Sequence, residues 1–164
     1  MTVSRNDRVA DLADALRKMT EDVGENAVWR VDISIESERY RHVRATTWKE
    51  LLDRGLIKWF FHNTYQLTTI GWRKGVQLLE LDKDPEFRGK LSRLAATLKD
   101  QVKGRYEEAY LDLFHAAQLS ELTEDFICNI IESRLLDHCF NMKGARLDTD
   151  NTIVIPIDFG MEPL

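Results

Sequence analysis

The first twenty-four residues set apolar side chains at alternating spacings of three and four. Val9, Leu12, Leu16, Met19 and Val23 fall on one side of a helix, with charged residues between them. Ser4 precedes the run as a side-chain cap, with Asp7 three residues on in an approximate capping box, and Gly24 and Asn26 end it. The predicted helix spans Ser4 to Val23. Its seam is that of a helix packed on its own core, or of a short dimer-forming helix. From Trp29 the period changes to two. Trp29, Val31, Ile33 and Ile35 alternate with Arg30, Asp32, Ser34 and Glu36, which predicts a half-buried strand.

After a polar, basic stretch from Ser37 to Ala45, Thr46 or Thr47 is placed to cap a short helix, Trp48 to Arg54, which Gly55 stops. Leu56 to Phe61 and Tyr65 to Leu67 predict a hairpin around His62-Asn63-Thr64. Thr68 or Thr69 then caps a helix to about Leu81, with Trp72, Val76 and Leu79 on one face. Asp82, Asp84 and Pro85 mark a boundary, and Pro85 suits the first turn of a new helix. A helical stripe of Phe87, Leu91, Leu94, Leu98, Val102, Ala109, Leu113 and Ala117 follows, weakened at Gly89 and Gly104. Thr123 opens a further helix through Phe126, Ile130 and Leu135 to about Asn141. Thr152 to Ile157 is β-branched but carries Pro156, which predicts an edge strand. Asp158 to Leu164 is expected to fold onto the body, anchored by Phe159 and Met161. The expected fold class is α+β and helix-rich. Residues 1–82 form an N-terminal half, and residues 83–164 form a helical C-terminal half with a short edge strand.

Charge sharpens this picture. The chain of 164 residues has 23 Lys and Arg against 28 Asp and Glu, a formal net charge of −5. Such a balance gives no global attraction to nucleic acid. Yet the interval 39–75 holds eight cations and only two acids, Glu50 and Asp53. That local excess reads either as an ordinary solvated surface or as a phosphate-facing patch. Six aromatics crowd residues 46–79: Trp48, Trp59, Phe60, Phe61, Tyr65 and Trp72. Strand alternation requires only Trp59 or Phe60 to face outward, so most are expected in the core.

Residues 46–79 carry a recognisable grammar. The helix exit Leu51-Leu52-Asp53-Arg54-Gly55-Leu56-Ile57 has the form L-x-x-x-G-L-I. The return strand Tyr65 to Gly71 has the form Y-x-L-T-x-x-G. Together they resemble the recognition helix, wing and following helix of winged helix-turn-helix domains, over about a fifth of the chain. The resemblance implies a winged-helix-like N-terminal half, with Ser37 to Val43 as the slot left for the preceding helix. It also implies double-stranded DNA as partner, the recognition helix lying in the major groove. The residues it nominates are Arg39, Arg41, Arg44, Thr47, Lys49, Arg54, Lys58 and Asn63. The implied function is that of a non-enzymatic, DNA-binding regulatory protein, homodimeric through the first helix or the C-terminal helices. The alternative is a protein-interaction module that uses the fold without DNA.

Catalytic signatures are not found. The sequence has no HExxH, GxSxG, GxxxxGK[ST] or GxGxxG motif. Its two cysteines, Cys128 and Cys139, lie on one predicted helix ~16 Å apart and cannot pair there. No CxxC or CxxH spacing suggests zinc, and His138 beside Cys139 would diverge on a helix. No enzyme, cofactor or metal is expected. No run of eighteen apolar residues suggests a membrane span. The N-terminal stretch with Arg5, Asp7, Arg8 and Asp11 lacks an apolar signal core, so the expected location is cytoplasmic.

Overall fold

Seven α-helices and two small antiparallel sheets make up the structure, a computed structural model that describes residues 4–161. The fold is α+β and helix-rich. The chain divides into two compact units, Met1–Leu81 and Asp82–Leu164.

The first unit opens with α1 (Arg5–Val23), where the Ser4 hydroxyl accepts from the Asp7 amide and Gly24 follows at φ 56°. Leu12, Leu16, Met19 and Val23 are buried, but Val9 is 56% exposed. The expected strand from Trp29 is cut short. Val28–Arg30 is a 3-10 turn and β1 is only Ile33–Ser34. Alternation alone did not make a ladder here because a side chain ties the segment instead. The buried Gln66 amide donates to the Trp29 carbonyl and to Asp32, both at 2.9 Å.

Helix α2 (Ala45–Asp53) begins earlier than the threonines suggested. Arg44 is its N-cap, without a side-chain bond, so Thr46 and Thr47 lie inside the helix. Gly55 at φ 70° reverses the chain, and the Leu56 amide donates to the Leu51 carbonyl at 3.0 Å. The hairpin of β2 (Ile57–Phe61) and β3 (Thr64–Leu67) follows. Both β1 and β2 pair antiparallel with β3, giving the order β1-β3-β2. Helix α3 (Thr69–Leu78) starts on Thr68, whose hydroxyl accepts from the Gly71 amide and donates to the Gly55 carbonyl. The Thr68 amide also reaches the Leu56 carbonyl. A Cβ on Gly71 would stand 2.0 Å from that carbonyl oxygen, and one on Gly75 would meet Thr20 of α1. The glycine of the Y-x-L-T-x-x-G pattern is therefore demanded by close backbone approach.

The second unit holds the remaining four α-helices and the second sheet. Asp84 caps α4 (Pro85–Val102), whose Leu91, Leu94, Leu98 and Val102 are buried. The predicted stripe then fails. Gly104 takes φ 74°, and Ala109–Asp112 is a strand, β4, with Ala109 and Leu111 inward and Tyr110 and Asp112 outward. Its partner is forty residues away, so local periodicity could not reveal it. Helix α5 (Leu113–Ser120) is capped by Asp112, and α6 (Glu124–Glu132) by Thr123. A left-handed Arg134 separates α6 from α7 (Leu135–Phe140), so Cys128 and Cys139 occupy different helices. Neither cysteine takes part in a disulfide.

β5 (Arg146–Leu147) and β4 flank β6 (Thr152–Ile155), which is therefore the centre of its sheet. The edge placement expected from Pro156 is corrected. The proline stands one residue past the strand and ends it, leaving every ladder donor from Thr152 to Ile155 intact. Phe159 is buried as expected, but Met161 is 67% exposed and anchors nothing; residues 162–164 lie outside the described residues. No helix among the described residues is long and apolar enough to cross a membrane.

Candidate nucleic-acid interface

The nominated side chains lie on α2, the turns before it and the hairpin after it. Ser37 to Val43 is a succession of turns, with the Tyr40 and Arg41 amides both donating to the Ser37 carbonyl. It is not the α-helix that a helix-turn-helix would place there. Successive helix residues rotate by about 100°. Thr47, Trp48 and Leu51 therefore form the buried face of α2, and Lys49, Thr46 and Asp53 face away from it.

Thr47 is the plainest correction. It is 5% exposed, on the inner face beside Trp48, and presents nothing to a groove. Arg39 is exposed but committed. Its Nε lies 2.8 Å from Asp22 and its Nη2 lies 3.8 Å from Glu21, both acids at the end of α1. The same Asp22 accepts from the Tyr40 hydroxyl in a short bond. Burial, then the bond to Asp22 and its charge, push the Tyr40 phenol above the ordinary tyrosine range. Arg44 stands 3.5 Å from Asp11, and Arg54 donates to Glu50 at 2.8 Å, one helical turn back. Asn63 occupies the hairpin turn at φ 52°, and its amide donates to Glu36 at 3.0 Å. Each of these five groups would have to leave an internal partner, or a buried site, to meet a ligand.

Arg41, Lys49 and Lys58 are different. All three are exposed, and among the described residues no acid pairs with them. Strands β2 and β3 contain no Asp or Glu, so no carboxylate on the hairpin strands offsets Lys58. Asp53 does share the outer face of α2 with Lys49 and weakens its field.

The structure exposes more of the aromatics than strand alternation required, which was Trp59 or Phe60 alone. Trp59, Phe60 and Phe61 are 64%, 51% and 67% exposed. Across the sheet, Ile33, Tyr65 and Trp59 stand in one row. Ile33 is buried, and Tyr65 is covered by Trp48, stacked at 5.3 Å with planes 13° apart. Trp59 lies beyond that cover, on the edge strand. The pairing then jumps from Trp59↔Tyr65 to Phe61↔Thr64, so two residues of β2 oppose one of β3. This bulge breaks the alternation that would have returned Phe61 to the core. A run of aromatics beside a hairpin turn was the available signal, and the position of β2 at the sheet edge was what it lacked.

Elsewhere, no three His, Cys, Asp or Glu side chains among the described residues come together as metal ligands. Burial, aided by Asp82, raises the Cys139 thiol above the ordinary cysteine range, against a smaller opposing effect of Arg88. Such a thiol is held protonated, the opposite of an activated nucleophile. Asp112 and His115 form a 2.6 Å pair on the surface at the start of α5, where the Asp112 carboxylate caps the helix. Comparison with known proteins finds no matching family model, no matching curated protein and no matching solved structure.

Proposed function

We propose that the first unit binds nucleic acid through α2 and the β2–β3 hairpin, in the manner of a winged-helix domain, and that the protein is a non-enzymatic regulator. The observation that carries this reading is the set of three exposed cations without acid partners among the described residues: Arg41 in the turns before α2, Lys49 on α2 and Lys58 on β2. The strand order β1-β3-β2 and the capped exit from the hairpin into α3 support it as architecture. Three cations make a modest site. If each neutralises one phosphate, the log–log salt slope of binding to duplex DNA is about −3. Titration of a labelled duplex at several salt concentrations tests this. The double change Arg41→Glu and Lys49→Glu should flatten the slope by about 2 and reduce affinity well over ten-fold. Affinity that ignores salt, or survives the double change, overturns the reading.

A second reading, protein contact, is favoured by a separate feature. Val9 and Ile70, 56% and 48% exposed, flank an apolar groove of about 490 Å³ lined also by Leu12, Leu16, Leu56 and Lys74. An adaptor or homodimer built on this groove would be indifferent to the two charge reversals. It would respond to Ile70→Glu, read as a concentration-dependent mass by light scattering.

A further inference from the structure

We infer that the aromatic edge of the hairpin stacks unpaired bases, so that the nucleic acid it takes has a single-stranded stretch. The inference rests on the nucleic-acid reading above and names its substrate class. Trp59, Phe60 and Phe61 are consecutive and exposed, and no ring or cation among the described residues packs on any of them. An uncovered edge strand of this kind is a liability that a protein retains when the surface has a use.

The display is held in place. The Asn63 carbonyl accepts from the Ile35 amide at 3.0 Å, the Asn63 side chain is bonded to Glu36, and the Thr64 hydroxyl donates to the His62 carbonyl. The rings therefore stand on a fixed hairpin, which limits the ordering a ligand must impose. One unmatched cation adjoins them on the strand, while Glu36 is held at the turn by Asn63. Lys58 precedes the triplet, and no acid lies on either hairpin strand. The complement of π-faces beside an unmatched cation is a planar, π-faced ligand on an anionic backbone. In duplex DNA the base faces are already stacked and the grooves offer only edges. Only unpaired bases present a free face to Trp59, Phe60 or Phe61. Because β2 is an edge strand, a chain laid along it can meet side chains from both faces of the sheet. Lipid is the poorer complement. The apex of the hairpin is His62-Asn63, which is polar and would enter a membrane before the rings.

The test uses the full chain and three probes: oligo(dT) of about twenty nucleotides, a duplex of equal length, and phosphatidylcholine–phosphatidylserine vesicles. Wild type should bind oligo(dT) more tightly than duplex at equal salt, with quenching of tryptophan fluorescence that is lost in Trp59→Phe. Trp59→Ala with Phe61→Ala should weaken oligo(dT) binding about ten-fold or more and change duplex binding less than two-fold. Both side chains are exposed, so circular dichroism of the double variant should match wild type. If the variant binds oligo(dT) as well as wild type, or wild type prefers duplex, the stacking inference falls and the broader reading stands. If neither oligonucleotide binds at low salt, both fall. Vesicle binding that needs Trp59 and Phe61, without oligonucleotide binding, also overturns both.

Discussion

Gly75→Ala sets two general rules against each other, and the structure chooses between them. Gly75 lies inside α3, where alanine is favoured over glycine by about 1 kcal/mol on helix propensity. Propensity alone predicts a more stable protein. But a Cβ at Gly75 would stand 1.7 Å from the Thr20 hydroxyl oxygen, 2.7 Å from Thr20 Cβ and 3.1 Å from Thr20 Cγ2. Thr20 is 3% exposed, and its hydroxyl donates to the Leu16 carbonyl at 2.7 Å. Rotating the threonine relieves the oxygen but not Cβ, which is fixed to the backbone of α1. The two helices must move apart, and overpacking of this kind costs about 1–3 kcal/mol, occasionally more. Contacts of 1.7 and 2.7 Å put the cost in the upper part of that range, so after the propensity gain the expected net loss is about 1–2 kcal/mol, or a fall in melting temperature of roughly 5–15 °C for a unit of this size. All four tryptophans, Trp29, Trp48, Trp59 and Trp72, belong to the first unit, so their fluorescence reports its unfolding alone. Urea titrations should show a lower midpoint with an unchanged slope. Thr20→Ala in the Gly75→Ala background should recover about 0.5 kcal/mol or more beyond additivity, since it removes the oxygen and Cγ2. A Gly75→Ala protein that unfolds at the same or a higher urea concentration refutes the claim that α1 and α3 meet at this glycine.

The other glycines and one tyrosine give contrasting expectations. Gly71→Ala should destabilise the first unit more than Gly75→Ala, because the obstacle 2.0 Å away is the Leu56 carbonyl and cannot rotate aside; fluorescence-detected unfolding checks it. Gly89→Ala in α4, with nothing within 4 Å of the added carbon, should stabilise by about 0.5–1 kcal/mol in melts followed by far-UV dichroism. Tyr40→Phe should cost about 1–2 kcal/mol at neutral pH through loss of the bond to Asp22. The folded phenol titrates above the unfolded one, so its contribution is complete below about pH 10 and is lost as pH rises through the folded value. Wild type should therefore weaken in alkali, and Tyr40→Phe should weaken less over that interval, as read by urea midpoints from pH 8 upward.

Much of the local architecture was legible because the signals are local. The 3-4 spacing of Leu12, Leu16, Met19 and Val23, the caps at Ser4, Thr68 and Thr123, the boundary at Asp84-Pro85 and the turn at Asn63 each act within a few residues of chain. The charge excess of 39–75 was equally visible, but its availability was not. Arg39 and Arg44 find their acids on α1, seventeen or more residues earlier, and a count along a window cannot see a partner that folding brings in from outside it. Lys49, Arg41 and Lys58 differ from them only in having no such neighbour among the described residues.

Composition and periodicity thus settled the helix-rich α+β class, the helix–hairpin–helix order of residues 45–78 and the absence of familiar catalytic motifs, since each follows from side-chain spacing along a single segment. Pairing between distant segments settled the rest. It made Ala109–Asp112 a strand against Thr152–Ile155, put that second strand at the centre of its sheet, and left β2 at the rim of the other with three rings uncovered. A strand's burial depends on which neighbours flank it, and that is a property of the assembled sheet rather than of any stretch of sequence.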